Sequence, residues 1–140
     1  MAGAEKRSPL PLGINIMSDF TYYNNNPQKS IEDDCVTRAI TLASGLPYKT
    51  VTKLLDLVAE HNHCERLYMG CYRYLLEQVL GYPVKYPKRY ETVSDIIDKY
   101  PHNTLLIRID QHLLCAVAGV IYDLWDSGYR DDVTCYWIAK

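Results

Sequence analysis

The second half of the chain decides the fold. It reads Thr104-Leu105-Leu106-Ile107-Arg108-Ile109, then His112-Leu113-Leu114-Cys115-Ala116-Val117, then Val120-Ile121-Tyr122-Asp123-Leu124-Trp125. Short, branched, apolar runs of this kind are strands, and Ala118-Gly119 between the last two marks a hairpin. Val133 to Ala139 closes the chain as another strand.

Working back toward the N-terminus, the apolar period lengthens. Val36, Ala39, Ile40 and Ala43 follow Cys35 at helical spacing, and Gly45 stops the run. Asp33 or Asp34 can cap that helix. Val51, Leu54, Leu55 and Val58 predict a second helix over about 50–61, and Cys71 to Leu80 a third. Thr92 with Asp95 forms a capping-box pattern for a fourth, carrying Val93, Ile96 and Ile97. Helices first and antiparallel strands last mean an α+β fold with one layer of each. The stretch from Thr21 to Ser30 is too polar for a strand, and residues 1–19, with Pro9, Pro11 and Gly13, read as a tail before a single domain over 20–140.

Composition sets the function classes. The 140 residues suit one domain, and 48% hydrophobic with 23% charged residues is globular. Fifteen Lys+Arg against 17 Asp+Glu leave a formal charge of −2, which argues against a nucleic-acid partner held through phosphates. No apolar run is long enough for a membrane span, and Met1 to Arg7 leads into no apolar signal core. Cys35, Cys64, Cys71, Cys115 and Cys135 form an odd set without framework spacing, so free thiols and a cytoplasmic location are expected. His61, His63, Cys64 and Cys71 match no zinc-finger or ribbon spacing; no metal and no cofactor are expected.

Cys35 carries the chemistry. At the start of a helix its thiol meets exposed N–H groups and the positive end of the dipole, which favour the thiolate. Asp33 and Asp34 oppose this, so a histidine base is required. His112, opening a strand, is the candidate, with an aspartate across the hairpin to orient it. A two-residue turn at Ala118-Gly119 leaves Asp123 on the histidine's face; a three-residue turn sets His112 opposite Asp126. Alanine is a weak opening residue for a type I′ turn, which favours the longer loop and Asp126, with Asp123 as the alternative. Arg38 can pair with Asp34 at i,i+4 spacing as a stabilising surface pair. Each residue has an ordinary structural role open to it, as a small buried hydrophobe, a surface histidine or a turn aspartate. Their order is what points to nucleophilic catalysis.

That order resembles the papain-like fold in its small microbial forms, among them NlpC-type cell-wall peptidases, CHAP amidases and bacteriocin-processing peptidases. Asp34-Cys35 is similar to the Asp-Cys pair of the NlpC type, with Val36-Thr37 in place of Ser-Gly. A fuller resemblance is to small papain-like proteins of phages and bacteria. It runs through Tyr22-Tyr23-Asn24, Asn26-Pro27, Asp34-Cys35-Val36-Thr37-Arg38-Ala39, His112-Leu113, Ala116-Val117 and Gly119-Val120-Ile121-Tyr122-Asp123-Leu124-Trp125-Asp126. The resemblance implies a helical layer bearing the cysteine on an antiparallel sheet. It implies Cys35 as nucleophile, His112 as base and Asp126 or Asp123 as orienter. The activity implied is cleavage of an amide, peptide or isopeptide bond through an acyl-enzyme, on a protein or peptide substrate. An acyltransferase and a non-catalytic binding module, for example a phage inhibitor of a host protein acting in the host cytoplasm, are the alternatives. Asn26, Gln28, Tyr22 and Tyr23, upstream of the cysteine, are the oxyanion candidates, beside the Cys35 N–H. Gln111 stands where such enzymes usually have glycine before the histidine.

Overall fold

Branched and apolar residues dominate the second half of the chain. In the computed structural model, which describes residues 20–29, 34–124 and 131–140, they form the centre of a six-stranded sheet. The strands are β1 (Phe20–Tyr22), β2 (Val84–Lys85), β3 (Thr104–Ile109), β4 (His112–Val117), β5 (Val120–Asp123) and β6 (Cys135–Ile138). Their spatial order is β1-β5-β4-β3-β6-β2. Neighbours are antiparallel except β1, which runs parallel to β5 and sets Tyr22 opposite Asp123. The helices are α1 (Cys35–Ser44), α2 (Tyr48–Asn62), α3 (Met69–Tyr74), which runs on into a π-helical turn over Leu75–Val79, and α4 (Val93–Lys99). The fold is mixed α+β. No helix among the described residues is long and apolar enough to cross a membrane.

The strand period divides the core into two. Leu106, Leu113, Cys115, Cys135 and Trp137 pack with Ile40 of α1, Val51 and Leu55 of α2, and Tyr72 of α3. Leu105, Ile107, Ile109, Leu114 and Ala116 face the other way, onto Val93, Ile96 and Ile97 of α4. The expected single helical layer is therefore corrected. Successive residues of β3 and β4 are apolar, both faces need cover, and the short α4 supplies the second.

Local signals place the helix ends. Gly45, with φ 77°, ends α1 in the left-handed conformation and its N–H bonds to the Thr41 carbonyl at 3.0 Å. Thr92 and Asp95 make the expected capping box reciprocally at the start of α4.

Three expectations fail. The Ala118-Gly119 turn has two residues, because Val117 pairs with Val120. Ala118 takes φ 49° and Gly119 φ 85°, so alanine accepts the left-handed conformation of a primed turn. The Ala118 N–H is anchored on the Asn103 carbonyl at 3.1 Å, a tertiary contact invisible in the turn sequence. The polar stretch beginning at Thr21 contributes to β1, because the edge of β5 offers backbone partners whatever the side chains are. Cys64 and Cys71 form a disulfide, with their Cα atoms 5.5 Å apart, so the five free thiols reduce to Cys35, Cys115 and Cys135. The tail over 1–19, together with Asp33, Trp125 and Asp126, lies outside the described residues.

Candidate active site

Helix α1 begins at Cys35 because Asp34 leaves helical geometry, at φ −130°. Asp34 sits at the N-cap, yet its side chain accepts no bond from the helix N–H groups. It turns sideways instead, accepting from Arg38 Nε at 2.7 Å, the Tyr48 hydroxyl at 2.6 Å and Asn26 Nδ2 at 3.1 Å. The first N–H groups of α1, Cys35's own included, are therefore not capped by the Asp34 side chain and point out of the helix end.

The start of β4 brings His112 to that helix end. The thiol of Cys35 interacts with the His112 ring and with the Leu113 backbone. His112 Nε2 lies 2.6 Å from Asp123 Oδ2, which leaves Nδ1 for the thiol. The two-residue turn explains the aspartate. The ladder it sets runs to Cys115 opposite Tyr122, and Asp123, the last residue of β5, carries its carboxylate to the His112 ring. Asp123 is further fixed by Arg38 Nη1 at 2.9 Å and by the Leu124 N–H at 2.8 Å, both on Oδ1.

Charges follow from these partners. Burial alone would push the Cys35 thiol up, but the His112 hydrogen bond, the Leu113 backbone and the charges of His112 and Arg38 outweigh it, and the thiol lies below its ordinary value. Burial disfavours the imidazolium, yet Asp123 and Cys35 raise His112 to about 9. Burial opposes ionisation of Asp123 too; bonds to His112, the Leu124 backbone and Arg38 hold it below the usual carboxylate range. These shifts all run toward a thiolate–imidazolium pair backed by a carboxylate. Cys115 is pushed upward by complete burial, and Cys135 is also pushed up by burial.

The Asp34–Arg38 pair is not the surface pair expected from its spacing. Side-chain exposures of 6% and 9% bury it, and Arg38 bridges two carboxylates. A continuous path therefore runs Asp34, Arg38, Asp123, His112, Cys35. The i,i+4 spacing signals its first link; the link to Asp123 joins residues 85 apart and has no local signature.

The upstream oxyanion candidates sit elsewhere. Asn26 is buried, and its amide serves Asp34, Tyr48 and the Gln28 N–H. Tyr23 meets the Tyr122 ring edge-on at 5.9 Å, and Tyr22 is exposed. A cavity of about 500 Å³ opens beside Cys35, lined by Val36, Leu67, Tyr68, Met69, Arg108 and Gln111. None of Tyr22, Tyr23, Asn26 or Gln28 lines it. Leu67, Tyr68 and Met69 come from the segment closed by the Cys64–Cys71 disulfide, a pairing that the free-thiol expectation had no signal for.

Set against family models, curated proteins and solved structures, the chain matches none.

Proposed function

We propose that this protein is a papain-like cysteine hydrolase that cleaves an amide, peptide or isopeptide bond. The observation that carries the proposal is the connected set of Cys35 at a helix start, His112 against it and Asp123 2.6 Å behind the histidine. The Cys35 thiolate adds to the scissile carbonyl carbon, and the carbonyl π electrons move to oxygen. In this reading the Cys35 N–H at the helix end donates to that oxyanion. The intermediate collapses as the C–N bond breaks and His112 Nδ1–H protonates the departing amine. Neutral His112 then takes a proton from water, the hydroxide adds to the thioester carbon, and the thiolate leaves as acid is released. Asp123 holds the ring and balances its charge throughout without taking the proton.

An activated ester tests this without knowledge of the natural substrate. Wild-type protein with p-nitrophenyl acetate should release a stoichiometric burst of nitrophenol and carry an acetyl group on Cys35. Cys35→Ala should give no burst, and His112→Ala a rate lower by roughly 10²–10⁴. A burst that survives in Cys35→Ala overturns the reading.

A further inference from the structure

Arg108 stands apart from the other arginines around it. Arg38, Arg66 and Arg73 each pair with a carboxylate, on Asp34 and Asp123, Asp56, and Glu77 respectively. Arg108 lines the Cys35 cavity, and no carboxylate among the described residues pairs with it. Its Nη1 donates to the Tyr72 hydroxyl at 3.0 Å, which fixes the guanidinium plane, and no other side chain among the described residues takes its remaining donors. Tyr72 is fully buried, and burial pushes its phenol up to about 12, so this partner is neutral and does not offset the charge. Strand β3 holds Arg108 opposite Leu113 on one side and Cys135 on the other, beside the sheet end where His112 starts. The rest of the wall is mostly apolar: Val36, Leu67 and Met69.

A half-buried, oriented guanidinium, with no carboxylate partner among the described residues, on the wall of a cavity of about 500 Å³ matches a carboxylate on a short aliphatic stem. We propose that this cavity is a specificity subsite for an acidic side chain, glutamate-like in length, next to the scissile carbonyl, with Arg108 as its anchor. The methylenes would lie on Leu67, Met69 and Val36, and the carboxylate would meet the free edge of the guanidinium. The inference rests on Cys35 being the nucleophile, and it narrows the substrate class of that site.

Two alkylating agents of similar size separate the two ideas. Iodoacetate carries a carboxylate and iodoacetamide does not; the Cys35 thiolate displaces iodide from either. The ratio of their rate constants at Cys35 should exceed that of a free thiol, and Arg108→Gln should lower it by about tenfold. Arg108→Lys, which keeps charge but loses the fork, should lower it less. A second measurement needs no variant: N-acetylglutamate should slow iodoacetamide labelling of wild-type Cys35, while N-acetylglutamine should not. An unchanged ratio in Arg108→Gln overturns the subsite, as does equal protection by the two ligands. If Arg108→Gln fails to fold, the protection result alone decides. Failure of the hydrolase reading looks different, because Cys35 would then react no faster than a free thiol with either reagent, whatever the ratio.

Discussion

At the residue scale, the local chemistry of each cysteine predicts an order of reactivity. Cys35 lies partly open, with its thiol below the ordinary value, whereas Cys115 is buried and pushed the other way. Iodoacetamide near pH 7 should modify Cys35 first and Cys115 last, and Cys64 and Cys71 only after reduction, as read by peptide mass mapping. Asp123→Asn keeps the shape but removes the charge that raises His112. Its labelling rate at pH 7 should fall about tenfold or more, because a tenfold change follows each 1.36 kcal/mol lost from the ion pair. If that rate is unchanged, Asp123 does not set the histidine's charge. How legible the site was differs by residue. Cys35 and His112 announce themselves by residue type at an element start, which a single chain displays. The aspartate needed the hairpin register, and Ala118 misled because its backbone conformation is set by Asn103 rather than by its own preference.

At the element scale, Arg38 ties α1 to β5 through Asp34 and Asp123. Arg38→Met would leave two buried carboxylates facing each other without a cation, so it should cost about 3–5 kcal/mol in denaturant unfolding. A loss below about 1 kcal/mol would mean the path is solvated rather than buried. The Cys64–Cys71 disulfide ties the cavity wall to the start of α3. Closing so short a loop stabilises by roughly 2–3 kcal/mol in the chain-entropy account. Reductant should therefore lower the Tm of wild type by several degrees, while Cys64→Ser should start at the lower value and show no further change. The helices were read well from periodicity, since α1 and α4 carry their own start and stop signals. β1 and β2 were missed because three and two residues hold no period to read; they exist through the strands beside them.

At the scale of the whole molecule, the ionised site makes stability depend on pH from both sides. Asp34 and Asp123 are held below 3.8, so their contributions are present above about that pH and are lost as pH falls through their folded values. His112 is raised from 6.5 to about 9, so its contribution is complete below pH 6.5 and is lost as pH rises through about 9. Cys35 is lowered from 9.0, so its own contribution is present above that pH and lost as pH falls through its folded value. Thermal melts of wild type should thus lose stability below about pH 4, and the His112 contribution should vanish in His112→Ala, flattening the alkaline limb. A wild-type profile identical to that of His112→Ala between pH 6 and 10 would show that His112 titrates as in the unfolded chain.

What the chain determined by itself is everything carried by neighbours in sequence: the α+β succession, the helix limits at Cys35, Gly45 and Thr92, the strands β3 and β4, and the candidacy of Cys35 and His112. Tertiary structure decided what depends on distant partners. It chose the two-residue turn that brings Asp123 to His112, buried Arg38 between carboxylates 89 residues apart in number, at 34 and 123, and put Arg108 beside Cys35. It also joined Cys64 to Cys71 and spread the core over two faces of one sheet. The physical reason is common to all of these. Periodicity and capping are energies between residues a few positions apart, so one chain displays them. Ion pairing, cavity lining and register are energies between segments that meet only after the sheet has closed its ladder, and they leave no local trace to read.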